Sequence, residues 1–251
     1  MTLKIRMPLT IIVVEPHHAG NIGSICRACK TMGVSDVIVV NPQVDYLNDA
    51  DTFRLGWASR DLIEAIQIVP TLEEALKDVQ LAIATTHKRR TYSPPIFTPK
   101  EIVPKAVQAA AAGNKVAFVF GRENHGLSET ELNLCHMWSS IPAASMRPAL
   151  NLSQSVMLYA YEWFSHTQIQ TEVHHRMPLA THAESEAFYQ ALTQLIPRLS
   201  IETRKGDSQF VSLIRRILGR TFLEKRDISL LFKWLTLLKS SVSQTTEEVP
   251  Q

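Results

Sequence analysis

Four stretches of the chain gather polar and basic side chains in the way ligand-binding loops do. The most informative is Phe120-Gly121-Arg122-Glu123-Asn124-His125-Gly126-Leu127-Ser128, where an apolar run delivers a glycine, four consecutive polar residues and a second glycine. Partly burying so many polar groups at the end of a core segment is costly unless they bind something, so this stretch reads as a site. Pro16-His17-His18-Ala19-Gly20-Asn21-Ile22-Gly23-Ser24 opens a helical pattern whose first amides would favour an anion, with Arg27 on the early turns. Thr85-Thr86-His87-Lys88-Arg89-Arg90 sets two hydroxyls and a basic run after an apolar segment. That pattern fits phosphate contact, and it fits a solvated charged loop as well. Ile141-Pro142 followed by Leu150-Asn151-Leu152-Ser153 combines apolar walls with an amide and a hydroxyl, a lining suited to a nucleoside held by backbone groups.

Other chemistries are missing from the pattern. The glycines do not follow GxGxxG, and no GK[ST], GxSxG or HExxH is present. Cys26 and Cys29 form a CxxC with no second pair, so they read as two buried thiols on successive turns of one helix, and no metal site is expected. His17, His18 and His125 read as hydrogen-bonded loop residues before they read as bases, and His174 and His175 as solvated.

The elements that must position these loops follow from hydrophobic periodicity. Apolar, β-branched runs predict strands over 10–14, 36–40, 81–84, 115–120 and 138–141. Helical spacing predicts helices over 22–32, 71–79, 100–112, 129–135 and 152–164, with Thr71 and Ser128 as N-caps. Near-continuous apolar strands separated by helices indicate a parallel sheet covered on both faces, an α/β fold. From 166 to 182 the chain turns polar and reads as a linker. Helical patterns over 184–195, 208–218 and 227–239 follow without a convincing strand, and the tail from 241 is polar. The expected layout is residues 1–165, a linker over 166–182, a small all-helical unit over 183–240 and a flexible tail over 241–251.

Composition bounds the function. The 251 residues are 45% hydrophobic and 20% charged, which excludes a disordered chain or a fibre. Twenty-six Lys and Arg against 24 Asp and Glu leave a net charge of +2, which excludes a polybasic coat but permits a local basic face. Apolar runs stay short of the ~20 residues of a membrane span, so a soluble, cytoplasmic protein is expected.

Taken in order, three stretches resemble the motifs of the SPOUT superfamily of RNA 2′-O-ribose methyltransferases. They are Asn21-Ile22-Gly23-Ser24-Ile25-Cys26-Arg27, then Phe120 to Ser128, then Ile141-Pro142 with Leu150-Asn151-Leu152-Ser153. Within the superfamily the chain looks most like the branch that acts on the tRNA anticodon loop, through Arg27-Ala28-Cys29-Lys30-Thr31-Met32-Gly33 and the helical stretch Leu213 to Arg220. The resemblance implies a parallel sheet with a deep trefoil knot near the third motif. It implies S-adenosyl-L-methionine held by Thr85, Thr86, Gly121, Arg122, Glu123, Ile141, Pro142, Leu150, Asn151 and Ser153. It also implies a homodimer with Arg27 reaching the site across the interface, and catalysis by Arg27, Asn21, Glu123 and Asn151. A guanidinium is effectively never deprotonated, so Arg27 is expected to stabilise negative charge on the ribose oxygen and grip a phosphate. Lys88, Arg89, Arg90, Arg215, Arg216 and Arg220 are expected to contact RNA. The implied reaction is 2′-O-methylation of C or U at position 32 of tRNA. Alternatives are the same reaction on ribosomal RNA or another tRNA position, or an RNA-binding protein without activity. One departure stands out: the related sequences carry serine before the Leu-Asn-Leu of the third motif, and here that residue is Ala149.

Overall fold

The structure, a computed structural model, describes residues 8–87, 94–144, 150–167, 178–199 and 207–247. Seven strands form one sheet: β1 (Leu9–Val14), β2 (Asp36–Val40), β3 (Gln67–Val69), β4 (Leu81–Thr85), β5 (Ile96–Phe97), β6 (Val116–Phe120) and β7 (Met137–Ser139). Their order is β3-β2-β1-β6-β4-β7-β5, and every neighbouring pair is parallel. The chain runs outward from β1 to β3, then returns to the far side of β1, where β6 inserts between β1 and β4. Such a reversal opens a crevice at the carboxyl edge of an α/β sheet. The register fixes what meets there. Val13 pairs with Phe120, Ala84 with Val119 and Thr85 with Ser139, so the loops after β1, β6, β4 and β7 leave the sheet side by side.

Alternation along the strands divides the core into two faces. Leu9, Ile11 and Val13 of β1 pack with Phe118 and Phe120 under α1 (Ala19–Thr31), α5 (Pro99–Ala111) and α7 (Leu152–Thr167). Ile12 and Val14 face the other way, with Val119, toward α4 (Leu72–Leu76) and α6 (Glu129–Asn133). Cys26 and Cys29 lie buried on α1 as free thiols, as their spacing predicts, and burial pushes the Cys26 thiol up to about 12. Capping residues behave as read: the Thr71 hydroxyl accepts from the Glu74 N–H, and Ser128 forms a reciprocal box with Glu131.

Several elements escape hydrophobic patterning. α2 (Ala50–Leu55), α3 (Arg60–Glu64), β3 and β5 are all short, below the length at which a period can be recognised. Two boundaries also differ. Residues 178–182 are not a solvated linker, because Leu179 and Ala180 are buried and the Leu179 N–H donates to Asn114 Oδ1 at 2.8 Å. The chain past 241 is not a frayed tail throughout, because α10 (Lys225–Glu247) continues helical through its polar Ser, Gln and Thr residues. Among the described residues no helix is long and apolar enough to cross a membrane.

The last helices, α8 (His182–Leu195), α9 (Asp207–Leu218) and α10, share a core of Phe188, Tyr189, Leu192, Leu195, Val211 and Leu235. They meet the sheet layer at a polar seam. His136 Nδ1 accepts the N–H of Ala82 at 3.0 Å, and its own N–H returns to the Ala82 carbonyl at 2.9 Å. The ring of His182 stands 6.1 Å away, edge to face. Gly219 passes so close that an added Cβ would sit 2.8 Å from the His136 carbonyl oxygen. Burial, reinforced by His182, holds His136 neutral and lowers its pKa from 6.5 to about 4. In acid the unfolded chain takes this proton first, so stability is retained above about pH 6.5 and falls as pH drops toward 4. The loss attributable to His136 is at most about 3 kcal/mol. Urea denaturation at pH 7 and pH 5 checks this: His136→Asn, which keeps an acceptor near Nδ1, is expected to lose less stability on acidification than the parent chain.

Candidate active site

The loops leaving β4, β6 and β7 and the start of α7 enclose a cleft of about 760 Å³ including its open mouth. Seven of the residues expected from sequence to hold a cofactor line it: Thr85, Thr86, Gly121, Arg122, Glu123, Ile141 and Leu150. Pro142, Asn151 and Ser153 do not line it. Lys88, Arg89, Arg90 and Ala149 fall outside the described residues.

Beside this cleft, four loop residues form one hydrogen-bonded chain. The Glu123 carboxylate accepts the backbone N–H groups of His17 at 3.1 Å and His18 at 3.3 Å, just ahead of α1. It also accepts Asn21 Nδ2 at 2.9 Å. Asn21 Oδ1 in turn accepts Asn151 Nδ2 at 3.0 Å. Asn151 Oδ1 accepts the N–H and hydroxyl of Ser153 at 2.8 and 2.7 Å, which secures the entry to α7. Burial opposes charge on Glu123, but the bonds from Asn21 and the two backbone N–H groups outweigh it and hold the carboxyl below its ordinary value. α1 has no acidic residue in its own first turn, so Glu123 provides the negative charge its positive end favours.

Arg122 lines the cleft, and its guanidinium is taken up by two carboxylates. Its Nη1 and Nη2 each reach a Glu131 oxygen at 2.9 Å, and its Nε reaches Glu15 at 2.7 Å. Both carboxylates are held below their usual range, Glu15 chiefly by Arg122 itself and Glu131 by Arg122 and the Ser128 N–H against the cost of burial. The guanidinium is therefore a clamp tying the loop after β6 to the end of β1 and to α6. Gly121 is required by this loop, since an added Cβ would lie 2.1 Å from the Gly126 carbonyl carbon.

Sequence reasoning missed the back wall. Tyr159 is fully buried, stacks against Phe118 and Phe120, and donates to Ser139 Oγ at 2.7 Å. Ser139 Oγ passes a bond to the Phe97 carbonyl at 2.9 Å. Leu152, Ser155 and Tyr159 line the cleft together, and their helical spacing was the available signal. His87 and His125 line it as well.

Arg27 lies on the outer face of α1, exposed and with no ion-pair partner among the described residues. The structure does not join it to Asn21, Glu123 or Asn151. Arg215 is not a free RNA contact: it forms a bidentate pair with Glu186 and stacks on Tyr189 at 4.1 Å. Arg216 is half-buried, whereas Arg220 is exposed.

The lining suits a nucleoside carrying positive charge. Ile141, Leu150 and Leu152 supply apolar surface, Thr86 and Ser155 supply hydroxyls, and the one guanidinium present is already neutralised by two carboxylates. An open parallel sheet with such a cleft at its carboxyl edge defines an α/β enzyme of the nucleotide-cofactor type. Residues 8–161 match the SpoU rRNA Methylase family, and the chain belongs to that family. It is 32% identical over 242 residues to the tRNA (cytidine/uridine-2′-O-)-methyltransferase TrmJ of Sodalis glossinidius, covering 95% of this chain and 94% of that protein. Among solved structures, TrmJ from Z. mobilis superposes with a TM-score of 0.74 at 25% identity over 92% of this chain and 99% of that one. A putative methylase family protein from Neisseria gonorrhoeae gives 0.68 at 33% identity over 76% and 97%.

Removing the Glu123 carboxylate leaves two backbone donors and one amide unpaired. Glu123→Ala is expected to cost about 1–3 kcal/mol in urea denaturation. Amide hydrogen exchange should quicken selectively at His17, His18 and the first turn of α1, and unchanged exchange there would show that the chain of bonds does not hold the loops.

Proposed function

We propose that the protein catalyses S-adenosyl-L-methionine-dependent 2′-O-methylation of a ribose in the tRNA anticodon loop, at C or U in position 32. The observation that carries this reading is the Glu123–Asn21–Asn151 chain, which ties together three stretches of the RNA methylase match beside one cleft. The bound cofactor supplies an already activated methyl group. The residues of the chain therefore have only to exclude water, orient the ribose and manage charge on its 2′-oxygen. Alignment of this kind lowers a barrier by as much as about 7 kcal/mol. Ile141, Leu150 and Leu152 would give the cofactor apolar surface, and Gly121, Thr86 and Ser155 would offer it polar groups. Arg27, permanently protonated, stabilises the developing oxyanion and binds the neighbouring phosphate. Asn21, Glu123 and Asn151 set the position of the helix that bears it.

The working form is a cytoplasmic homodimer. Supporting this, Leu158, Tyr161 and Phe164 of α7 are exposed, and a shallow groove between α1 and α7 is lined by Ala28, Leu150, Met157 and Leu158. Pairing this face would bring Arg27 toward the partner's cleft. The trefoil knot of the superfamily is part of the same reading, supported by the family match over residues 8–161. The helical unit over 183–240, with Arg220 exposed, docks the body of the tRNA, and that affinity falls steeply with salt.

Incubation of the purified protein with isotopically labelled cofactor and unmodified tRNA, followed by mapping of ribose methylation, tests the proposal. One methylated nucleotide in the anticodon loop is expected. Arg27→Lys should lower kcat at least roughly tenfold, because an ammonium lacks the bidentate fork. Transfer to ribosomal RNA alone, or cofactor binding with no transfer to any RNA, would overturn the assignment.

A further inference from the structure

Trp57 is 73% exposed and Trp234, on α10, 60%, whereas Trp138 and Trp163 are buried at 5% and 3%; of the two exposed indoles only that of Trp57 lies beside α1. It sits on the short connection between α2 and α3, and that connection is pressed against α1. A Cβ added to Gly23 would lie 2.0 Å from the Thr52 carbonyl oxygen, and one added to Gly56 would lie 3.0 Å from the Gly23 Cα. Two bonds close the turn behind the indole: the Ser59 hydroxyl and N–H both donate to the Gly56 carbonyl, at 2.6 and 2.9 Å. Ala58 is held at φ +65, a conformation an alanine adopts only under constraint. The indole therefore stands on a fixed backbone and does not bury itself.

Its location relative to α1 gives it a use. Gly23 and Arg27 are one helical turn apart and share a face. Gly23 meets Gly56, and one turn beyond Arg27 the Lys30 ammonium pairs with Asp61 at 2.5 Å. The two contacts bracket Arg27 toward the stretch 57–60, so a guanidinium that is exposed and has no ion-pair partner among the described residues falls on the side of α1 that carries the exposed indole. The neighbouring cations are already matched, Arg54 with Asp51 and Arg60 with Glu64. That side offers one aromatic plane among charged groups rather than a continuous apolar surface of the kind protein partners use. A flat ring beside a phosphate-binding guanidinium matches an unpaired nucleotide, whose base stacks while its phosphate is gripped.

We propose that Trp57 is the stacking platform for an unpaired base of the RNA substrate, adjacent to the ribose that Arg27 serves. This rests on the ribose-methylation reading above. Trp57 then sets RNA affinity and positioning without touching the methyl donor.

The test uses the full chain and its Trp57→Ala and Trp57→Phe variants with an unmodified anticodon stem-loop RNA. Trp57→Ala is expected to raise the KM for RNA roughly 5- to 100-fold with kcat nearly unchanged. Trp57→Phe, which keeps a ring, should recover most of that loss. Calorimetric binding of S-adenosyl-L-methionine should be equal in all three proteins. Addition of RNA should quench indole fluorescence in the parent chain, and the part of the quenching due to Trp57, over that of the exposed Trp234, should be lost in Trp57→Phe. A parent-like KM and undiminished quenching in the variants would overturn the stacking role while leaving the methylation reading intact. A changed sedimentation coefficient in Trp57→Ala would overturn it in favour of a subunit contact. A parent chain that neither binds nor methylates RNA would overturn both.

Discussion

The site depends on one carboxylate. Glu123 leaves the sheet at the end of β6, yet its three bonds are made to residues more than 100 positions earlier in the chain. Through Asn21 it extends to Asn151, so the loop after β6, the start of α1 and the entry to α7 move as one unit. Each amide in this chain uses its oxygen and its nitrogen in opposite directions, which fixes both orientations. A carboxylate in such a position is more than a charge near a helix start. It converts three flexible connections into a single preorganised wall, and preorganisation is what a transferase acting on an activated methyl group requires.

A second clamp works in parallel and gives a side chain a structural part that its type alone does not reveal. Arg122 and Glu123 are adjacent, and both read from sequence as ligand contacts. The structure divides their labour: Arg122 fastens its loop to Glu15 and Glu131, while Glu123 faces α1 and the cleft. Neutralising Arg122 has an electrostatic consequence as well. A lone guanidinium in the wall would repel a cationic ligand, whereas an arginine between two carboxylates does not. Arg215 illustrates the same point at the helical seam, where Glu186 and Tyr189 take up a cation that a linear reading offers to RNA.

What was legible in the sequence was local. Buried parallel strands announce themselves as β-branched runs, and β2 was read with the bounds it has. Capping residues such as Thr71 and Ser128 mark helix starts because their bonds span only three residues. The glycine-flanked loop after β6 was also visible as a concentration of polar residues, and it lines the cleft. The pairing Asn21–Asn151, 130 residues apart, was not, because no periodicity encodes a side-chain bond between two loops. Nor was the course of residues 44–66 over α1. Its helices have five or six residues, and their place is dictated by the glycine contact between Gly23 and Gly56 rather than by an amphipathic stripe.

That glycine contact bears on how α1 can do two jobs at once. Its first turn must be held for the cleft, and Glu123 and Asn21 do this. Its middle must carry an arginine outward, and a helix side chain is steady only if the helix cannot roll. Cys26 and Cys29 anchor one side against the sheet, the backbone of α2 locks another through Gly23, and α7 closes the third. Along the side met by Gly56 and Asp61, Arg27 stays exposed between the two contacts. A bulkier residue at Gly23 would lift α2 and rotate that face, altering the aim of Arg27 without touching any atom of the cleft. α1 is therefore held by contacts with the sheet, α2 and α7, and the exposure of Arg27 follows from the packing that surrounds it.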